Sequence, residues 1–227
     1  MDLNEAFNFL NFWVNKKTGA WYSIDELAEI VDRGQISYYT DIKPQYATST
    51  LIKETLAPFK DVYNFTPTNT VSGYIVIPSN LNYLDLLDVQ ITYTDNGRTV
   101  YRGIKMVNED ERAVRLNSQT NPVNAENPIG EIVATRYIKI YPTSSGYTGS
   151  VTYLRRPIKP VYAYTVISGR VINYDAVNSV QLEWKETDIN KILLKALQSI
   201  GINLSDQEIQ QWSQIKTQEN FIGQNRL

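Results

Sequence analysis

Leu3, Ala6, Phe7, Leu10 and Val14 fall on one side of a 3.6-residue period, with polar residues between them. This pattern predicts a helix from Asp2 to about Lys16, with Asp2 and Glu5 placed as a capping box. Phe9, Phe12 and Trp13 widen the stripe beyond one face, so the helix is expected to be deeply buried, within the chain or partly by another subunit. Lys17-Thr-Gly19 breaks it. Ser23-Ile-Asp-Glu26 caps a second helix carrying Ile24, Leu27, Ile30 and Val31, which Gly34 is expected to close. A weaker third helix is predicted from Gln45 to about Phe59, ended or bent by Pro58.

From Gly73 the period shortens to two. Gly73 to Pro78 reads as a short strand; Val89, Ile91 and Tyr93 then alternate with Gln90, Thr92 and Thr94. Leu84 to Asp88 reads as a turn before that strand. Asn96-Gly97 is a strong hairpin-turn signal, and the return strand runs from Thr99 to about Val107. Asn108-Glu-Asp-Glu-Arg112 starts a short helix whose acids suit its positive end. Asn117 to Gly130 has no period and reads as a surface loop and a candidate contact arm. Strands follow at Tyr137 to Tyr141 and Ser150 to Leu154, then a hairpin of Tyr162 to Ile167 with Arg170 to Tyr174 across Ser168-Gly169.

The helical period returns with Ile189, Ile192, Leu193, Ala196, Leu197 and Ile200. Thr187 or Asp188 is the expected N-cap, and Gly201 the expected terminator, with Ile202 closing over Leu197. Ser205-Asp-Gln-Glu208 forms a further capping box ahead of Ile209, Trp212 and Ile215. The predicted fold class is α+β: a helical N-terminal part, a central antiparallel β-sheet or sandwich of about six to seven strands, and a C-terminal helix hairpin. A division into 1–66 and 67–227 is expected, with one continuous domain as the alternative.

Composition narrows the chemistry. The 227 residues contain no cysteine and no histidine, which removes disulfides, thiolate nucleophiles, imidazole proton shuttles and the common zinc and iron sites. No metal site and no cofactor are expected. A net charge of −2 argues against broad, nonspecific adhesion to nucleic acid. No apolar run approaches the roughly 18 residues of a membrane span, and no secretion signal opens the chain, so a soluble, unexported protein is expected. The 16 tyrosines and 4 tryptophans suit either strand packing or protein contacts.

Three groups of candidate residues remain. Asp85 and Asp88 would pair only on a helix, and Glu183 beside Trp184 lacks a second carboxylate to complete a glycosidase pair, so no catalytic residue is assigned. In Arg155-Arg156-Pro157-Ile158-Lys159-Pro160 the prolines stiffen the backbone and hold three cations in an array. This is either a basic strip facing an acidic neighbour or DNA phosphates, or a guarded sheet edge. Trp184, Trp212, Phe9 and Trp13 are candidate interface aromatics, with core packing as the alternative.

The run Val151-Thr-Tyr-Leu-Arg-Arg-Pro-x-x-Pro160-Val-Tyr-x-Tyr164, then Asn178-Ser-Val-Gln-Leu-Glu-Trp184, then Leu193-Leu with Ile200-Gly-Ile-Asn-Leu204, resembles the head–tail connector or ring proteins of crAss-like bacteriophages. Leu3-Asn-Glu-x-x-x-Phe-Leu-Asn-Phe12 with Asn15-Lys16, and Gly73-Tyr-x-x-x-Pro78-Ser79, are similar to the same family. The stretches 34–70 and 108–130 match poorly. The resemblance implies a virion structural protein, made in the bacterial host cytoplasm and assembled as a homo-oligomeric ring of twelve copies. Its implied partners are itself, the portal or neighbouring ring and tail proteins, and DNA passing through the lumen without sequence recognition. No membrane partner is implied, and no catalytic residue carries over. The alternative is an aromatic-rich β module binding host-surface carbohydrate.

Overall fold

The computed structural model describes residues 1–66, 70–71, 73–95, 97–143, 147–167, 171–205 and 208. Its elements run α1 (Leu3–Thr18), α2 (Ile24–Ile42), α3 (Thr50–Leu56), β1 (Lys60–Phe65), β2 (Thr70–Val71), β3 (Tyr74–Val76), β4 (Tyr83–Asp95), β5 (Arg98–Gly103) and β6 (Lys105–Met106). Then come α4 (Glu109–Leu116), β7 (Ile129–Ala134), β8 (Tyr137–Tyr141), β9 (Thr148–Arg155), β10 (Tyr164–Ile167), β11 (Val171–Tyr174) and α5 (Glu186–Ser199). The fold is α+β. The chain forms two units, Met1–Thr55 with Pro157–Leu227, and Leu56–Arg156. The second is therefore inserted in the first, a division with two chain crossings where the sequence suggested one boundary at 66/67.

In the first unit α1 and α2 start at the caps the sequence places there. Asp2 Oδ1 accepts from the Glu5 amide at 2.7 Å while the Glu5 carboxylate accepts from the Asp2 amide at 3.2 Å. Ser23 and Glu26 repeat the reciprocal pair at the start of α2. Gly19 ends α1 at φ 65°, a left-handed conformation that glycine adopts without a Cβ penalty. Gly34, however, does not end α2, which continues to Ile42. It lies where α2 meets α5: a Cβ there would sit 2.6 Å from the Ile192 carbonyl oxygen and 2.8 Å from the Ala196 Cβ. Close approach of two helices, not helix termination, explains this glycine.

The N-cap of α5 is Lys185, which makes no side-chain cap bond, so neither Thr187 nor Asp188 caps the helix. Asp188 is buried instead, accepting from the Tyr38 hydroxyl at 2.7 Å and the Lys191 ammonium at 3.2 Å. The tertiary donor Tyr38, invisible in local spacing, claims its carboxylate together with Lys191 one helical turn on. The other end is as expected: Gly201 is at φ 81°, and the Ile202 and Gly201 amides donate to Leu197 O at 2.9 Å and Gln198 O at 3.0 Å. Ser205 donates from its amide to the Glu208 carboxylate at 2.9 Å. The remainder of the expected second C-terminal helix, including Trp212, lies outside the described residues. So does the Ser168-Gly169 turn between the paired strands β10 and β11.

The second unit holds two sheets. One has the order β1-β9-β4-β5, the other β2-β3-β8-β7-β6. Side chains of both, among them Phe65, Ile75, Val89, Ile91, Ile138 and Val151, share one apolar core. Among the described residues eleven strands form where about six or seven were expected, and β6 pairs with β7 in parallel. The missed strands lack alternation. Only Phe65 of β1 is fully buried, and β7 has three buried residues followed by three exposed ones. Leu84 to Asp88 belongs to β4 and not to a turn; register shifts at Tyr83/Asp85 and Leu86/Asp88 break the period there.

Candidate functional site

Arg155 closes β9, which lies between β1 and β4, so the basic segment does not guard a sheet edge. Nor is it a free row of cations. The Arg155 guanidinium donates to Pro58 O at 3.1 Å, stands 3.9 Å from Asp61 Oδ2 and lies 5.6 Å from the Phe59 ring centroid. Lys159 donates to Glu29 at 2.7 Å. That hydrogen-bonded charge pair moves the Glu29 carboxyl below and the Lys159 ammonium above their ordinary ranges. Pro157 and Pro160 are buried, while Arg156 is exposed. Arg155 and Lys159 thus hold their own chain.

Three of the aromatic candidates, Trp184, Trp13 and Phe9, are core residues. Trp184 is 5% exposed, sets its ring 5.3 Å from Tyr38 and donates from Nε1 to Gln35 Oε1 at 3.2 Å. Gln35, fully buried, also donates to Asp32 at 2.7 Å and to Ile158 O at 3.0 Å. Glu183 accepts from the Ile158 amide at 3.1 Å, so its carboxylate fixes the proline segment. Trp13 is fully buried and Phe9 nearly so, their rings meeting edge to face at 6.5 Å. The Lys16 ammonium lies 4.6 Å from the Trp13 ring centroid. As interface residues, Phe9, Trp13, Pro157, Pro160 and Trp184 are corrected: burial inside the chain claims their surface.

Two concavities stand out among the described residues. In the second unit, one of about 520 Å³ is lined by Tyr74, Asn108, Arg112, Glu131, Ile132 and Lys139, among others. Two of its charges pair with each other: Arg112 donates to the buried Glu131 at 2.6 Å. Hydrogen bonds to Tyr141 and Tyr74 raise the Lys139 pKa. A lysine nucleophile needs the opposite shift, so the amine is held as an ammonium ion.

In the first unit, a cleft of about 430 Å³ lies between α1 and the β10–β11 hairpin. Asn4, Asn8 and Asn11 enter it from α1, at the 4- and 3-residue spacing of one helical face, and Asn173 enters from β11. Tyr162 donates to Asn4 Oδ1 at 2.8 Å. The asparagine spacing was legible in the sequence as a polar counterpart to the apolar stripe; its meeting with Tyr162 and Asn173 was not.

Among the described residues no group of three or more acidic side chains is placed to hold a metal ion, and no helix is long and apolar enough to cross a membrane. No protein-family model matches the chain, and no curated protein matches it.

Proposed function

We propose that this chain is a non-enzymatic structural subunit of a tailed-phage virion. In this reading, copies join in a homo-oligomeric ring of twelve at the head–tail junction, beside the portal or another ring or tail protein. DNA passes through the lumen without being read. The residues resembling the connector family occur in both units, at 3–16, 73–79, 151–164 and 178–204.

The structural observation that carries the reading is the placement of large apolar side chains in water. Trp21 is 85% and Val177 92% exposed in the first unit; Tyr101 is 69% and Val114 70% exposed in the second. Single exposed apolar residues are ordinary, but a tryptophan so exposed is a strong candidate anchor. A head-to-tail ring needs two different faces per subunit to be covered. Lasting contacts of this kind bury well over about 1,000 Å². Sedimentation of the pure chain, with imaging of particles that contain it, tests the proposal. A closed ring in the particle is expected; a monodisperse monomer absent from every particle overturns it. For the carbohydrate alternative, Trp184 offers no stacking platform, since it is buried.

A further inference from the structure

The two sheets of the second unit end differently at their sides. Among the described residues the outer strands of one sheet, β2 and β6, have two residues each, a length that offers little to a further strand. The outer strands of the other, β1 and β5, have six residues each, with no proline and no register shift inside them. Four residues of β1 and five of β5 are exposed. Long open edges of this kind are templates for another strand.

The two edges fit each other. The order β1-β9-β4-β5 is antiparallel at every step, so β1 and β5 run in opposite directions. A second copy set beside the first in the same orientation therefore lays its β1 antiparallel to β5. The Ile104 amide donates to Val89 O at 2.8 Å, directly across the ladder. By alternation the backbone groups of Arg98, Val100 and Arg102 point to β4, and those of Thr99, Tyr101 and Gly103 point outward. Carried across β4 and β9, the same alternation points the backbone groups of Lys60, Val62 and Asn64 outward from β1.

One register joins all six residues of each edge. It makes Val62 with Tyr101, and Asn64 with Thr99, hydrogen-bonded pairs, and sets Asp61 opposite Arg102 and Tyr63 opposite Val100. Tyr63 packs on the apolar core, and Val100 lies across from Tyr93, which does so too, so core face continues into core face. Val62 and Tyr101, 54% and 69% exposed, cover one another on the other face. Asp61 stands 3.9 Å from Arg155 with its side chain 55% exposed, which leaves room for a second cation. A slip of one residue reverses the faces, and a slip of two parts Asp61 from Arg102.

We propose that β1 of one copy adds to β5 of the next, so that neighbouring copies share one continuous antiparallel sheet; this rests on the ring reading above and names the contact that joins its subunits. Main-chain bonds supply affinity, and the Asp61–Arg102 and Val62–Tyr101 pairs supply the register. Arg98 and Arg102 oppose the pairing of β5 with another β5. Two different edges of one subunit are what a head-to-tail ring requires.

Because the chain has no cysteine, full-length copies carrying Asn64→Cys can be mixed with copies carrying Thr99→Cys and treated with a short bis-maleimide. A 64–99 crosslink between copies is expected, in solution and in particles. Arg102→Glu sets two acids face to face and should weaken self-association by about tenfold, while Arg102→Lys restores it and neither moves the unfolding midpoint. Val62→Pro removes an outward amide and no bond to β9, so it should weaken association to a similar extent. A crosslink between like positions only, attachment of either cysteine to a different protein, or association insensitive to both Arg102→Glu and Val62→Pro would each overturn the proposal. If rings form without the 64–99 crosslink, this contact alone fails. If no ring forms in solution or in particles, the ring reading fails with it.

Discussion

Replacing Gly34 by alanine sets two known effects against each other. Alanine is favoured over glycine in a helix interior by about 1 kcal/mol, so an open site would gain stability. Here the new Cβ would stand 2.6 Å from Ile192 O, 2.8 Å from Ala196 Cβ and 2.9 Å from Ala196 N. Two of these three atoms are backbone, so no rotamer change relieves them, and α2 and α5 must separate. The buried Ile192, Leu193 and Ala196 of α5 would then lose part of their packing against α2. Overpacking costs about 1–3 kcal/mol, and a backbone clash belongs in the upper half of that range. Net of the propensity gain, Gly34→Ala should destabilise the first unit by about 1–2 kcal/mol. Tryptophan fluorescence during urea unfolding is a selective assay, because Trp13, Trp21 and Trp184 lie in that unit and the sequence of the second, residues 56–156, holds no tryptophan. An unchanged or raised midpoint for Gly34→Ala would refute the close-approach account.

Gln35→Leu should cost about 1–3 kcal/mol, since it removes the Oε1 acceptor of the buried Trp184 Nε1–H and a donor to the part-buried Ile158 carbonyl; a loss under about 0.5 kcal/mol in the same urea assay would contradict that role. Trp21→Ala should leave the unfolding midpoint unchanged while weakening assembly. An 85% exposed indole offers about 170 Å² to a neighbour, worth at most about 4 kcal/mol at ~25 cal/mol per Å², so sedimentation should show a dissociation constant raised about 30- to 700-fold. Association equal to wild type would discard Trp21 as an anchor. The Lys17 ammonium, 2.5 Å away, and the Ser205 amide hold the Glu208 carboxyl at about 2, against an ordinary 4.5. Its folded pKa is depressed, so the contact contributes above pH 4.5 and is lost as pH falls from 4.5 toward about 2. The Ser205 amide resonance should follow that low midpoint, and Lys17→Ala should move it up; a native midpoint near 4.5 would show that the pair does not form in solution.

Local chemistry alone determined the helix starts at Asp2 and Ser23, the cap at Asn108, the ending at Gly201 and the β8 limits, Tyr137–Tyr141. Capping bonds join residues about three apart, and a strand with one buried face alternates, so both leave a mark in a short window. That same window could not show that Gly34 serves α5, that Asp188 answers Tyr38, or that Glu29 takes Lys159, partners separated by 130 or more residues where measured. It also missed β1 and β7, whose burial does not alternate. The candidate site divides in the same way. Three asparagines on one face of α1 follow from helical spacing, but a cleft exists only because the chain returns after the inserted unit to set Tyr162, Asn173 and Tyr174 against them. Periodicity fixes which side of an element is polar; only tertiary packing decides which side is covered, and by what.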